Sequence, residues 1–416
     1  MQLHKLDSYE RISMSETTRI LLCDFAVGLP THPLHQFDTV DWQEVFQAVG
    51  RNGLYGLTYH YLRQNPTLTY PPLEFRQSIE HIYRASALNM VLMYRKINHV
   101  LSQLATFPIE YMVLKGPVLA QLVYPDQSWR PFNDLDILIR ERDWAKMHQI
   151  LLKLNFIPEY DLPYPPPKVI DEAVLYEVKY WHKENNLLVE VHYDDLLNAG
   201  LASRDIEGFW QRAISMDLDD VTIKALSMED QLIHLCMHAH YHGYTRLNWF
   251  SDIAFLLRVF GDKLDWTRLL TTIRTEEAEV GVYYSLYFLE KLLGITVPAH
   301  VMAALQPDRF RQWWHEYYLP TPQVLSLKPM YRPDLSFYFR PLFKRLIPDL
   351  LIMGRRKEKI RYLLRLFYPP RDWLQHYYRL KKYPTSIHYL LHPLKIMYHY
   401  FKEMIGKVMV ENNLVV

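Results

Sequence analysis

Apolar and polar positions change their spacing several times along this chain of 416 residues. Residues 1–60 mix their apolar spacings, with Pro30 and Pro33 as breakers, and predict short helices and loops. From Pro72 to about Leu104, the run EFRQSIEHIYRASALNMVLMYRKINHVLSQL repeats apolar residues at three and four positions without Pro or Gly. That spacing predicts one long amphipathic helix. IEYMVLKGP (109–117) then reads as a strand ending at Lys115-Gly116, with Pro117 opening a helix through VLAQLVY. DLDILIR follows as a strand, WAKMHQILLKLNF as a helix, PYPPPK (163–168) as a loop, and VLYEVKYWH and LLVEVHYD as two more strands. This alternation over residues 105–195 predicts a mixed sheet with helices packed on it. Ser227 with Asp230 three residues on forms a capping box opening the helix EDQLIHLCMHAHYH, and helical spacing continues to about residue 318. The proline-punctuated connector LPTPQVLSLKPMYRP (319–333) precedes a last segment. The fold class expected is α+β, with a small mixed sheet as its core. The expected parts are an N-terminal helical region (1–104), an α/β core (105–225), a helical domain (226–330) and a C-terminal helical region (331–416).

With 49% hydrophobic and 14% aromatic residues and only 13 glycines, a chain this long can bury more than one core and is not low in complexity. Cys23 and Cys236 form no CxxC pair, so neither a disulfide framework nor a zinc ribbon is supported. The N-terminal residues lack the apolar stretch of a signal peptide, and no apolar run approaches the roughly 18 residues of a membrane span. A cytoplasmic location is expected, with peripheral contact at the inner membrane surface as an addition. The net charge of +1 hides an asymmetry: residues 340–407 hold 16 Lys or Arg against four acidic residues, leaving −11 on the rest. A basic segment of this kind calls for a polyanionic partner or surface.

The candidate chemistry starts in RPFNDLDILI (130–139). Side chains at i and i+2 of a strand share a face about 6.6 Å apart. Asp134 and Asp136 therefore point one way while Leu135 and Ile137 enter the core. Two such carboxylates repel each other unless a cation lies between them, and Mg²⁺ favours carboxylates together with phosphate oxygens. In LLVEVHYD the same alternation puts Glu190, His192 and Asp194 on one face, making Glu190 the third expected metal ligand. Two ions held by Asp134, Asp136 and Glu190 suit an in-line phosphoryl displacement. The strand end at Lys115-Gly116 offers a positive charge and an uncovered backbone to phosphates. Arg130 can reach the same phosphates or pair with a carboxylate to hold its loop.

In combination these features resemble the uncharacterised bacterial nucleotidyltransferases related to the DNA polymerase-β-like superfamily. The resemblance rests on LKGPVLAQLVYPDQSWRPFNDLDILI (114–139), VEVHYD (189–194) and HLCMHAHYHGYTRLNWFSDIAFLL (234–257), and covers roughly residues 75–260. It implies a nucleotidyltransferase core in which Asp134, Asp136 and Glu190 bind metal, two Mg²⁺ ions serve as cofactors, and an NTP is the donor. Lys115, Gly116, Arg130 and His192 are the expected contacts to the nucleotide. The superfamily's Gly-Ser or Gly-Gly at the phosphate turn is Lys-Gly here. The acceptor is not implied; the basic segment favours an anionic one.

His234, His238 and His242 recur every four residues on one helical face, a spacing that can bind zinc or line a cleft, but Leu235 breaks the HExxH pattern. Asp252, after Ser251, reads as a helix N-cap. Three readings of residues 340–407 compete: a solvated basic face, a membrane-surface contact, and a nucleic-acid contact with aromatic stacking. The same site also suits a phosphotransferase that moves the γ-phosphate, and a non-catalytic nucleotide-binding scaffold remains the third class.

Overall fold

A computed structural model gives the architecture. It describes residues 15–28, 40–65, 71–159, most of 169–318 and scattered positions between 359 and 398. The proline-rich loop 163–168, the connector 319–333, Asp194 and most of the basic segment lie outside the described residues.

Among the described residues three short helices come first, as the mixed spacing predicts: α1 (Glu16–Val27), α2 (Trp42–Arg51) and α3 (Tyr55–Gln64). The Oγ of Ser15 accepts the Thr18 N–H and the Asp41 carboxylate accepts the Gln43 and Glu44 N–H groups, satisfying donors that the first helical turn leaves open. Helix α4 (Leu73–Leu104) is the long amphipathic helix, and it buries Ile97, Leu101 and Leu104 completely. The sheet region runs β1 (Met112–Leu114), α5 (Gly116–Leu122), β2 (Asp134–Ile139), α6 (Trp144–Lys153), β3 (Phe156–Pro158), the two-residue strands β4 (Val169–Ile170) and β5 (Ala173–Val174), β6 (Glu177–His182) and β7 (Leu187–Tyr193). Helix α7 (Ile206–Arg212) leads to β8 (Ile214–Leu218) and β9 (Val221–Ala225). This hairpin is not among the elements that the apolar pattern predicts. Its tight turn passes through Asp219 at φ 49°, a left-handed position that Asp tolerates better than most residues.

The seven-stranded sheet has the order β3-β6-β7-β2-β1-β9-β8. Strands β2 and β7 run parallel, as do β1 and β9, and the other neighbours are antiparallel. The sheet is therefore mixed, and the α+β class holds. One face carries Leu135, Ile137, Ile139, Val189, Val191 and Tyr193, all packed in a single core with α4 and α6. The other face carries Met112, Leu114 and Leu138 into a second core built mainly from helices. Those helices are α1–α3 together with α8 (Met228–Tyr241), α9 (Leu247–Phe260), α10 (Trp266–Glu276), α11 (Glu279–Leu293) and α12 (Ala299–Leu305). Helix α13 (Arg309–Tyr318) is the last described element before the connector. The second core runs from Leu21 to Leu305, across the expected divisions at 104/105 and 225/226. No helix of the described residues is long and apolar enough to cross a membrane.

Candidate active site

The polar side chains of β2 and β7 sit on the face turned toward the helical core, where apolar alternation alone would leave a row of leucines. In the parallel register Asp136 lies beside Glu190, and Leu138 beside His192. Antiparallel β6 adds Glu177 opposite His192 and Lys179 opposite Glu190. One ligand atom from each of Asp136, Glu190 and His192 falls within 4.8 Å of the others, a group able to hold a metal ion. Asp134, on the same face two residues earlier, is outside that group. The histidines of α8 are outside it too; among the described residues, zinc-like grouping of His234, His238 and His242 does not occur.

Asp136 is 2% exposed. Its Oδ1 lies 2.9 Å from the Lys115 Nζ and 3.0 Å from the His192 Nε2. Burial would raise its pKa, but the Lys115 charge and the His192 hydrogen bond outweigh burial and hold the carboxyl below the usual range. Glu190 goes the opposite way: burial, then the negative charges of Asp136 and Glu177, push it up to about 7. Burial and Asp136 also raise Asp134. Burial lowers the pKa of His192, but its bond to Asp136 and the charge of Glu177 overcome that and raise it. Lys179 lies 3.4 Å from both Glu177 and Glu190. The pocket thus concentrates acids on adjacent strands and holds them with two lysines.

Lys115 takes φ 42° and ψ −121° at the end of β1, a conformation that costs a side-chain-bearing residue of order 1–3 kcal/mol. Gly116, the next residue, is not forced by packing. A Cβ there would meet the Phe132 ring at 3.4 Å and the Asp134 carbonyl at 3.6 Å, which are ordinary contacts.

Arg130 realises the second of its two expected roles. Its Nε and one terminal nitrogen donate to the two oxygens of Asp252 at 2.7 and 2.8 Å, and Tyr124 donates to the same carboxylate at 2.7 Å. Asp252 is consequently not an N-cap. It is buried inside α9, which begins at Leu247 with Arg246 at its cap. A bidentate partner outweighs the local capping tendency that its position after Ser251 suggests.

The α8 histidines form part of the surroundings. The helix opens on Ser227, whose Oγ accepts the Asp230 N–H at 3.3 Å, as expected of the capping box. His234 donates from Nδ1 to the Leu196 carbonyl at 2.7 Å, and its buried Nε2 has no partner. Burial, followed by the charge of Lys115, pushes His234 down to about 3 and His242 to about 4 and takes His238 well below its ordinary value. All three are neutral near pH 7. His238 and His242 pack on Trp249 at ring-centroid distances of 5.4 and 5.1 Å.

Sequence reasoning missed Glu177 and Lys179, although the alternation of VLYEVKYWH already places them on one face. It missed Tyr124 as well, for which no local signal exists. Neither curated proteins nor solved structures give a match to the chain. A family model described as an uncharacterised nucleotidyltransferase matches residues 38–294, more than half of the chain, and takes in β1, β2, β6, β7 and α8. The chain therefore belongs to this family of nucleotidyltransferases.

Proposed function

We propose that the protein transfers a nucleoside monophosphate from an NTP to an unidentified acceptor in a reaction that depends on Mg²⁺. The observation carrying this reading is the meeting of Asp136, Glu190 and His192 within 4.8 Å on adjacent strands of a nucleotidyltransferase-family chain. Two carboxylates and an imidazole are a sound donor set for a divalent ion, and the buried Nδ1 of His192 lacks a protein partner. Bound there, the ion supplies charge neutralisation for the triphosphate and lowers the proton affinity of an attacking oxygen. Asp136 and Glu190 hold the ion, His192 joins them, and Asp134 supports a second ion from the same face. Lys115 serves the donor phosphates, with Gly116 leaving room for their approach. Arg130 positions the turn from behind through Asp252.

In the transfer, an acceptor oxygen forms a bond to the α-phosphorus, the bond from that phosphorus to the bridging oxygen breaks, and pyrophosphate leaves. The acceptor proton passes to solvent. Attack at the γ-phosphorus would make the same site a phosphotransferase. Incubation with α- and γ-labelled ATP separates the two: the acceptor gains the α-label in nucleotidyl transfer and the γ-label in phosphoryl transfer. Asp136→Asn is expected to remain folded at reduced stability, because the buried Lys115 loses its counter-charge, and to lose metal-dependent NTP turnover by at least about 100-fold. A folded variant with unchanged turnover refutes the assignment.

The basic segment is proposed to contact an anionic bilayer. Among its described positions, residues 386–395 are helical, and Ile387, Leu390, Leu391, Leu394 and Met397 are 48–69% exposed along one stripe. The polar side of that stretch is turned inward: Lys395 lies over the Tyr378 ring at 5.0 Å and His392 is 3.3 Å from the Tyr378 hydroxyl. Exposed aliphatic side chains in a segment with 16 basic residues suit acyl chains beneath anionic headgroups better than they suit stacked bases.

A further inference from the structure

Lys115 occupies an unusual place for a residue expected to meet phosphates. Its ammonium is buried against Asp136, the most deeply enclosed acid of the site, and touches the same oxygen as His192. Its backbone adopts a left-handed conformation that only glycine enters freely, so the side chain is delivered to Asp136 at a conformational cost. The other lysine of the pocket, Lys179, engages Glu190 and Glu177 from β6 without such strain.

We infer that Lys115 is an internal counter-ion which keeps the Asp136–Glu190–His192 site closed to a free divalent ion and is released to the donor triphosphate when both bind. This inference rests on the reading of the trio as a metal centre. The physical argument is one of charge. With no ion bound, Asp136 is a buried carboxylate that needs a cation, and Lys115 provides it at 2.9 Å. A divalent ion shared by Asp136, Glu190 and His192 must sit beside the same carboxylate, where the ammonium would repel it at close range and in a weakly screening interior. A triphosphate removes the conflict, because its oxygens accept hydrogen bonds from the ammonium and coordinate the ion at once. Release would then take the form of a side-chain rotation of Lys115 that exchanges one anion for the other. Metal and NTP binding are then positively coupled through one residue, and by linkage the coupling is reciprocal.

Mn²⁺ binding measured by calorimetry and by electron paramagnetic resonance tests this, in the full chain, with and without the non-transferable donor α,β-methylene-ATP. In the parent protein the analogue is expected to tighten Mn²⁺ binding at least about tenfold. Lys115→Met should bind free Mn²⁺ about tenfold more tightly than the parent and lose the enhancement by the analogue. Lys115→Arg, which keeps the positive charge, should bind free Mn²⁺ as weakly as the parent and so separates loss of charge from loss of fold. Free Mn²⁺ binding to Lys115→Met no tighter than to the parent overturns the counter-ion role while leaving the metal centre intact. Failure of the parent to bind Mn²⁺ even with the analogue overturns both this inference and the reading on which it rests.

Discussion

Glu190 and Asp136 are neighbours across one strand pair, yet the protein sets their proton affinities in opposite directions. Asp136 is in direct contact with both Lys115 and His192, whereas Glu190 is buried beside two other acids and shares Lys179 with Glu177. The consequence is a pH dependence of the metal-free protein. Glu190 has a folded pKa of about 7, above the roughly 4.3 of an unfolded glutamate. Between those values the folded chain keeps a proton that the unfolded chain has released, so this residue's contribution to stability declines as pH rises through the window. Glu190→Gln removes that decline. At pH 8 the metal-free variant should be more stable than the parent by up to about 4 kcal/mol, and at pH 4 the two should be close. Urea unfolding at the two pH values checks this; an equal difference at both would exclude Glu190 as its source. If Glu190 is a metal ligand as proposed, the same variant should also bind Mn²⁺ more weakly than the parent.

At the level of elements, contacts through one buried carboxylate tie the end of α5, the segment leading into β2, and α9 to one another. Asp252 in α9 accepts two bonds from Arg130, just before β2, and one from Tyr124, just after α5. The pair is nearly enclosed, with side-chain exposures of 16% and 3%. A buried pair of this kind adds little over an apolar replacement, but removing one partner leaves an uncompensated charge. Asp252→Ala should therefore cost about 3–5 kcal/mol in urea unfolding, and Arg130→Met with Asp252→Leu should cost distinctly less. Equal losses in the single and double variants would show that the clamp acts by packing rather than charge. Helix α8 contributes differently: burial and the charge of Lys115 lower the proton affinities of His234 and His238, so these two side chains add no positive charge beside Asp136 near pH 7.

For the molecule as a whole, charge is divided unequally between an acidic body and a basic end. Burying a Leu side chain contributes about 1.5–3 kcal/mol, so in the proposed attachment to a bilayer the exposed stripe of Ile387, Leu390, Leu391 and Leu394 would supply much of the drive. Electrostatic attraction of the basic residues to anionic lipid adds to it and weakens with salt. The protein is expected to co-sediment with vesicles containing phosphatidylglycerol and not with neutral phosphatidylcholine vesicles. Leu390→Glu with Leu394→Glu should abolish that binding without altering NTP turnover. Equal sedimentation of parent and variant would exclude the stripe as the contact.

What the sequence determined by itself was local. The three- and four-residue apolar spacing set α4, the two-residue alternation set β2 and β7, and that alternation already put Asp134 with Asp136 and Glu190 with His192 on shared faces, because side-chain direction in a strand is a property of the backbone. Capping chemistry marked the start of α8 for the same local reason. Only the tertiary structure decided which faces met. The order β6-β7-β2 brought Glu190 beside Asp136 and Glu177 beside His192, and it made His192 the third member of the trio in place of Asp134. It also drew Arg130 to Asp252, 122 residues away, and turned Lys115 toward Asp136. Pairings of this range depend on strand order and burial, and neither has a period that a single chain can display.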